Sequence, residues 1–175
     1  MYKFRTMADE RDENGDLLPD EVRLGRFGRI LRSTSLDELP EVFNILKGDM
    51  SIIGPRPQLI RDMVFMSPEQ RMRHTAKPGM SGLAQIRGRN SITWEEKINW
   101  DLKYIEKISF WEDIKIIIET IVTVLKRSGI TDGENATALD YGETLLAAGK
   151  ITMEEFEQKQ FKAEQLMEEY SKGRV

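Results

Sequence analysis

The spacing of apolar residues predicts a chain that is built mainly from helices. Leu24, Phe27 and Leu31 recur at intervals of three and four residues, which indicates a basic amphipathic helix over residues 22–32. Isoleucine and valine recur over residues 110–127 and predict a longer helix with a broad apolar face. The segment SIIGPRP, residues 51–57, suits a short buried strand that ends in a rigid turn. We therefore expect an α+β fold, mostly helical with a few short strands.

Capping sequences and glycines indicate where other elements begin and end. A Ser or Thr followed three residues later by Glu or Gln forms a capping box, and such boxes at residues 67–70, 93–96 and 109–112 predict helix starts. Residues 40–47 predict a short helix that Gly48 ends. Residues 152–170 predict a charged helix that packs weakly.

Composition and charge limit the chemistry that the chain can perform. Residues 1–127 hold 21 Lys and Arg against 20 Asp and Glu, whereas residues 128–175 hold 5 against 10. The absence of cysteine excludes thiolate chemistry, and the single histidine, His74, disfavours a catalytic triad. No apolar run reaches the ~18 residues of a spanning helix, and MYKFRTM lacks the apolar middle of a signal peptide. We expect a chain that is soluble or lies on a membrane surface.

Two adjacent carboxylates, Asp37 and Glu38, stand just before Pro40 and an apolar run. Proline belongs in the first turn of a helix, which would make Asp37 an N-cap and Glu38 a favourable first-turn charge. Alternatively, one carboxylate could attack a phosphorus atom while its neighbour helps to hold Mg²⁺, an ion that needs only one or two carboxylates besides substrate phosphates. Spacing alone favours capping, and both interpretations remain open.

Arginines in three places could hold the phosphates that such a reaction requires. Arg23, Arg26, Arg29 and Arg32 recur at every third position, which is typical of a solvated helix face but also suits phosphate recognition. Arg56 lies between two prolines in GPRP, which fix its backbone, although GPRP could simply form a sharp turn. Two further arginines, Arg87 and Arg89, flank Gly88 in a glycine-rich loop.

Five motifs in fixed order carry a family resemblance. They are YKFRTM from Tyr2, LDELPE from Leu36, FNILKGDMSIIGPRP from Phe43, KPGMSGLAQIRGRN from Lys77, and WEEK from Trp94. The chain resembles the catalytic domain of the bacterial sugar transferases, the monotopic polyprenyl-phosphate phosphoglycosyl transferases. The resemblance runs to about Thr137 and predicts a catalytic domain over residues 1–137 with an acidic C-terminal extension over residues 138–175.

The resemblance implies an enzyme at the cytoplasmic face of the bacterial inner membrane, with amphipathic helices along the membrane surface. Family members move a phosphosugar from a UDP-sugar to polyprenyl phosphate and release UMP, which initiates glycan, capsule or exopolysaccharide assembly. The resemblance assigns Asp37 as the nucleophile of a covalent phosphosugar intermediate and Glu38 as a catalytic residue that binds Mg²⁺. It implies substrate-binding roles for Arg32, Arg56, Arg89 and Asp113.

The sequence also departs from the family pattern. It lacks the membrane-inserted helix and basic segment that normally precede YKFRTM, and it has Leu83 where many members have tryptophan. One alternative is therefore a truncated, non-catalytic module that binds anionic lipid or a protein partner through its basic helix. A nucleic-acid binder is less favoured, because the pI of about 5.3 is low for that class. We therefore expect no nucleic-acid partner.

Overall fold

The computed structural model describes residues 1–88, 92–125 and 139–173. Strands β1 (Ser51–Ile53) and β2 (Gly79–Ser81) accompany 3₁₀ turns at Leu36–Glu38 and Met72–Thr75. The α-helices in these ranges are α1 (Asp20–Arg23), α2 (Arg26–Ser33), α3 (Glu41–Leu46), α4 (Ile60–Met63), α5 (Pro68–Arg71), α6 (Leu83–Arg87), α7 (Trp94–Glu106), α8 (Phe110–Leu125), α9 (Tyr141–Ala147) and α10 (Met153–Lys172). The predicted α+β class, mostly helical with short strands, is confirmed.

The chain divides into two compact units. Unit 1 comprises Met1–Arg56 and His74–Ala138, and unit 2 comprises Pro57–Arg73 and Leu139–Val175. Unit 2 thus combines a short segment from the middle of the chain with the C-terminal extension. The predicted boundary between residues 137 and 138 lies within residues 126–138, which are outside the described ranges, and that division of domains stays a prediction.

The core of unit 1 lies between a two-stranded parallel sheet and three helices. Strands β1 and β2 pair in the register Ser51 with Gly79 and Ile53 with Ser81, and α8 packs against both strands. Ile53, Leu83, Tyr104 and Ile116 form a buried apolar cluster in which α6, α7 and α8 meet the sheet. The strand predicted at the start of residues 51–57 is confirmed and covers Ser51–Ile53.

Close approach of two glycine backbones fixes the turn that follows β1. The Gly54 N–H donates to Ser81 O at 2.9 Å, and the Gly79 N–H donates to Pro55 O at 3.0 Å. A Cβ on Gly54 would fall 2.9 Å from Gly79 N, and a Cβ on Gly79 would overlap Gly54 N and Ile53 C. Because neither glycine position has room for a side chain, the backbones of β1 and β2 stay close together as the chain enters GPRP. This close approach fixes the backbone position of Arg56.

Unit 2 has its own small core. Phe65 and Phe156 stack with ring centroids 5.5 Å apart, and Ala163 of α10 is fully buried. The Tyr141 N–H donates to the buried Asp62 carboxylate at 3.0 Å. The C-terminal helix is confirmed. It contacts α4 and stacks Phe156 on Phe65, but Ala163 is its only buried residue, and Phe161 and Tyr170 are both 60% exposed.

The predicted basic helix over residues 22–32 is interrupted. It consists of α1 and α2 separated by Leu24 and Gly25. Arg23 Nε donates to Ala8 O at 2.9 Å, so this side chain reaches the loop before α1 instead of extending a continuous basic face. Of the helices in the described ranges, none has the length and apolar character needed to cross a membrane.

We predict that Gly79→Ala destabilises the chain by about 1–3 kcal/mol, the usual cost of forcing atoms into a filled space. Its methyl group would collide with backbone atoms that cannot rotate away. Gly25→Ala is the matched control, since a Cβ there meets nothing within 4 Å. Urea unfolding measures both variants, and equal midpoints would contradict this account of the turn.

Candidate functional site

The two adjacent carboxylates lie on the 3₁₀ turn Leu36–Glu38, directly before α3. The turn follows Ser35, whose φ of 56° places a non-glycine residue in the left-handed region at a cost of roughly 1–2 kcal/mol. Ser35 precedes the turn and Pro40 precedes α3, and neither caps its element through a side-chain hydrogen bond. Asp37 is the middle residue of the 3₁₀ turn and does not directly precede a helix. Its interpretation as an N-cap is therefore wrong.

Glu38 is held by two cations from distant parts of the sequence. Lys3 Nζ lies 2.8 Å and Arg56 Nη2 3.0 Å from the same oxygen, Glu38 Oε1. Lys3 Nζ also lies 3.9 Å from Asp37 Oδ2. Burial raises the pKa of Glu38, but Arg56 and Lys3 outweigh burial and leave this pKa below its usual value. We call Lys3, Asp37, Glu38 and Arg56 the acid–base cluster.

The N-terminal segment delivers Lys3 to this cluster through its backbone. The Phe4 N–H donates to Asp37 O at 3.0 Å, and the Tyr2 N–H donates to the buried Asn44 side chain at 2.9 Å. Lys47 Nζ donates to the Tyr2 hydroxyl at 3.0 Å. These bonds fix residues 2–4 along α3 and the turn, so that the intervening Lys3 side chain meets the carboxylates.

Two further charged residues belong to this neighbourhood and were not predicted. The side chain of Glu41 is buried, and both burial and the nearby Glu38 raise its pKa. Burial lowers the pKa of Lys97, and the Arg56 guanidinium lowers it further. Lys3, Glu41 and Lys97 lie within the family motifs YKFRTM, LDELPE and WEEK, respectively. Their positions in these motifs could have identified them as residues of the site.

The other predicted site residues have structural contacts or lie outside the described part of the chain. Arg32 Nε donates to Thr6 Oγ1 at 3.0 Å, on a helix that packs against the 3₁₀ turn. Asp113 accepts a hydrogen bond from the Tyr104 hydroxyl at 2.9 Å, and burial together with this contact raises the pKa of Tyr104. Arg89 falls in residues 89–91, outside the described ranges. Substrate binding by Arg32, Arg56, Arg89 and Asp113 stays a prediction.

The carboxylate oxygens suit a metal site that substrate and water complete, more than one formed by protein side chains alone. Among the described residues, no group of three or more His, Asp and Glu side chains could hold a metal ion by itself. Asp37 and Glu38 nevertheless offer two carboxylates, each less than a fifth exposed, which is sufficient for Mg²⁺ when substrate phosphates and water complete its shell. Such an ion would compete with Lys3 and Arg56 for Glu38.

Comparisons with known proteins agree with the sequence motifs. A family model described as bacterial sugar transferase matches residues 1–127. The uncharacterized sugar transferase EpsL of Bacillus subtilis is 50% identical over 138 residues, which cover 79% of this chain and 68% of EpsL. The undecaprenyl-phosphate galactose phosphotransferase of Salmonella typhimurium is 41% identical over 112 residues, 64% of this chain. A UDP-glucose:undecaprenyl-phosphate glucose-1-phosphate transferase of Caulobacter vibrioides is 42% identical over 135 residues, 71% of this chain.

The chain corresponds to part of most of these relatives. The match spans 24% of the Salmonella protein and 51% of the Caulobacter protein. A galactosyl transferase, CpsE of Streptococcus agalactiae, is matched over 32% of its length at 41% identity. The region that matches the family model, residues 1–127, contains the acid–base cluster.

We predict that Glu41→Gln stabilises the chain relative to the wild type, and more so at pH 7 than at pH 4. A carboxyl whose pKa is higher in the folded chain favours folding when protonated, and this contribution declines as the pH rises above its ordinary pKa of 4.5. Urea unfolding at both pH values measures the difference. The exposed Glu164→Gln is the control, and a Glu41→Gln effect that is the same at both pH values would contradict the assignment.

Proposed function

This chain belongs to the bacterial sugar transferase family, and we propose that it transfers a phosphosugar from a UDP-sugar to polyprenyl phosphate. The observation that carries this proposal is the acid–base cluster. Two carboxylates on one turn meet a lysine and an arginine from separate segments, all within hydrogen-bonding or ion-pair distance. A pair of acids with adjacent cations can attack a diphosphate and hold its negative charge.

In the proposed reaction, an Asp37 oxygen attacks the phosphorus that carries the sugar. The bond between this phosphorus and the bridging oxygen breaks, and UMP leaves with the electron pair. Asp37 then holds the phosphosugar as an acyl phosphate. A phosphate oxygen of the polyprenyl acceptor attacks the same phosphorus, which breaks the bond to Asp37 and regenerates the carboxylate. Each step exchanges one P–O bond for another, so no oxidant or reductant is required.

The surrounding cations would supply the electrostatic stabilisation that this reaction requires. An ionised carboxylate is a weak nucleophile, so charge must be drawn away from the phosphorus that it attacks. Mg²⁺, held by Glu38 and the substrate, would supply Lewis acidity at the diphosphate. Arg56 reaches Glu38 from GPRP with its side chain 46% exposed, and this exposure supports a contact with a phosphate that arrives from solvent.

We also propose that unit 1 rests on the cytoplasmic membrane surface, where its lipid acceptor is found. Phe110 and Trp111 at the start of α8 are 69% and 78% exposed, and Ile118 and Ile121 on the same helix are more than half exposed. Aromatic residues are enriched at the membrane interface, and exposed apolar side chains on amphipathic helices insert there.

A non-catalytic lipid-binding module is the second candidate function. Helix α2 supports it, because Phe27 is 72% and Ile30 59% exposed next to Arg26 and Arg29. The two functions differ in one assay. An enzyme releases UMP from a UDP-sugar and requires Mg²⁺ for this reaction, whereas a binding module associates with anionic vesicles and releases none.

We predict that Asp37→Asn abolishes both the covalent adduct and turnover while the chain remains folded. The substitution keeps the size of the side chain and removes the attacking carboxylate. Intact-mass analysis after mixing with candidate UDP-sugars detects the phosphosugar as a mass increase on the wild-type chain. Circular dichroism confirms that the variant is folded.

Glu38→Gln provides the contrasting variant for this experiment. It removes a metal-binding oxygen and leaves Asp37 in place, so the adduct should form slowly and its dependence on Mg²⁺ should weaken. An adduct that persists in Asp37→Asn would disprove the proposed nucleophile.

We predict that the double substitution Phe110→Ser/Trp111→Ser weakens binding to anionic vesicles about tenfold or more. Burying one large apolar side chain is worth about 1.5–3 kcal/mol, and a tenfold change in affinity corresponds to about 1.4 kcal/mol. Phe161→Ser is the control, because Phe161 is 60% exposed but lies in unit 2. Vesicle co-sedimentation measures the binding, and equal losses in both variants would argue against α8 as the membrane contact.

A further inference from the structure

Unit 2 contains an open cavity that the proposed reaction does not use. Its volume is about 540 Å³, within the range of small-molecule sites. Buried apolar side chains line it, with Val64, Phe65, Met66, Tyr141 and Leu145 among them. Four basic residues also line it, from α5, α10 and the turn after α9: Arg71, Lys150, Lys159 and Lys162. We call this the basic cavity.

The concentration of positive charge is unusual for this part of the chain. The sequence of unit 2 contains eight Lys and Arg against ten Asp and Glu. The residues that line the basic cavity nevertheless include four of these cations and, within the described ranges, no acid. Glu69 is a close neighbour along the chain, and it accepts a hydrogen bond from Ser67 at 2.7 Å. Like charges gathered around one cavity repel each other, and a bound anion would relieve that repulsion.

Contacts within unit 2 orient Arg71 and Lys159. Arg71 donates from Nε to Met66 O at 3.2 Å and from Nη2 to Val64 O at 3.4 Å. Lys159 Nζ lies 5.3 Å from the centroid of the Phe65 ring. Lys162 follows Lys159 by three residues, which places both on one face of α10. The cavity therefore combines an apolar floor with a positively charged rim.

We propose that the basic cavity binds a phosphorylated small molecule of nucleotide size. Its phosphates would contact Arg71, Lys159 and Lys162, and its flat apolar part would lie near Pro68 and Ile151, the apolar lining side chains that are not buried. Arginine and lysine are the side chains that hold phosphate in proteins. A lipid headgroup carries the same phosphate chemistry, but a volume of about 540 Å³ is sufficient for a soluble molecule of nucleotide size, and we propose the soluble molecule as the ligand.

The test titrates the full chain with ADP and, separately, with inorganic pyrophosphate by calorimetry without Mg²⁺. Lys159→Gln/Lys162→Gln should weaken ADP binding at least tenfold, and Lys162→Gln alone about threefold. The second variant leaves the contact between Lys159 and Phe65 intact. Lys115→Gln/Lys172→Gln is the control with the same change in charge at exposed positions outside the cavity, and it should change ADP affinity less than twofold.

Several outcomes would overturn the proposal. They include no binding of ADP or pyrophosphate at millimolar concentration, or equal binding by the wild type and the Lys159→Gln/Lys162→Gln variant. A separate arm uses vesicles that contain phosphatidic acid. If that double variant loses vesicle binding and the wild type binds no ADP, the cavity recognises a lipid headgroup and the soluble ligand is wrong. Neither arm requires catalysis at Asp37, so failure here is distinguishable from failure of the proposed transferase.

Discussion

Neutralisation of two adjacent carboxylates is the constraint on which unit 1 depends. Asp37 and Glu38 are both mostly buried, and a buried carboxylate is costly unless cations or donors compensate it. Lys3 and Arg56 provide this compensation from positions more than 15 residues away in either direction. The cluster therefore joins the N-terminal segment, the 3₁₀ turn and the GPRP turn, and removing one cation would leave two mostly buried carboxylates with less compensation.

Backbone contacts position the segments that carry these charged side chains. Gly54 and Gly79 allow β1 and β2 to approach closely, and this approach fixes the point at which the GPRP turn leaves the sheet. On the other side, the bonds from Phe4 to Asp37 and from Tyr2 to Asn44 fix the N-terminal segment beside α3. Arg56 and Lys3 thus converge on Glu38 from two directions, which reduces the conformational entropy lost when each ion pair forms.

Local patterns predicted local features well and long-range contacts poorly. Several confirmed features depend on neighbouring residues: the strand that begins the segment 51–57, the end of α3 at Gly48, and the capping boxes at Ser67 and Thr93. The role of Lys3 was missed because it depends on a contact across 35 residues. The N-cap assignment of Asp37 failed because the left-handed Ser35 opens a separate 3₁₀ turn, a conformation that spacing and propensity do not indicate. The stacking of Phe156 on Phe65 could not be predicted from local patterns, because these residues are far apart in the sequence.

The asymmetry within the acid–base cluster supports different roles for its two carboxylates. Both cations contact Glu38 Oε1 at 3.0 Å or less, whereas Lys3 lies 3.9 Å from Asp37, beyond hydrogen-bonding distance. A nucleophile must approach phosphorus, so strong bonds to its oxygens would have to break first. A metal-binding carboxylate can instead exchange one cation for another without moving. The residue that the cations hold tightly therefore suits metal binding, and its neighbour, held more weakly by Lys3, suits attack on the phosphosugar.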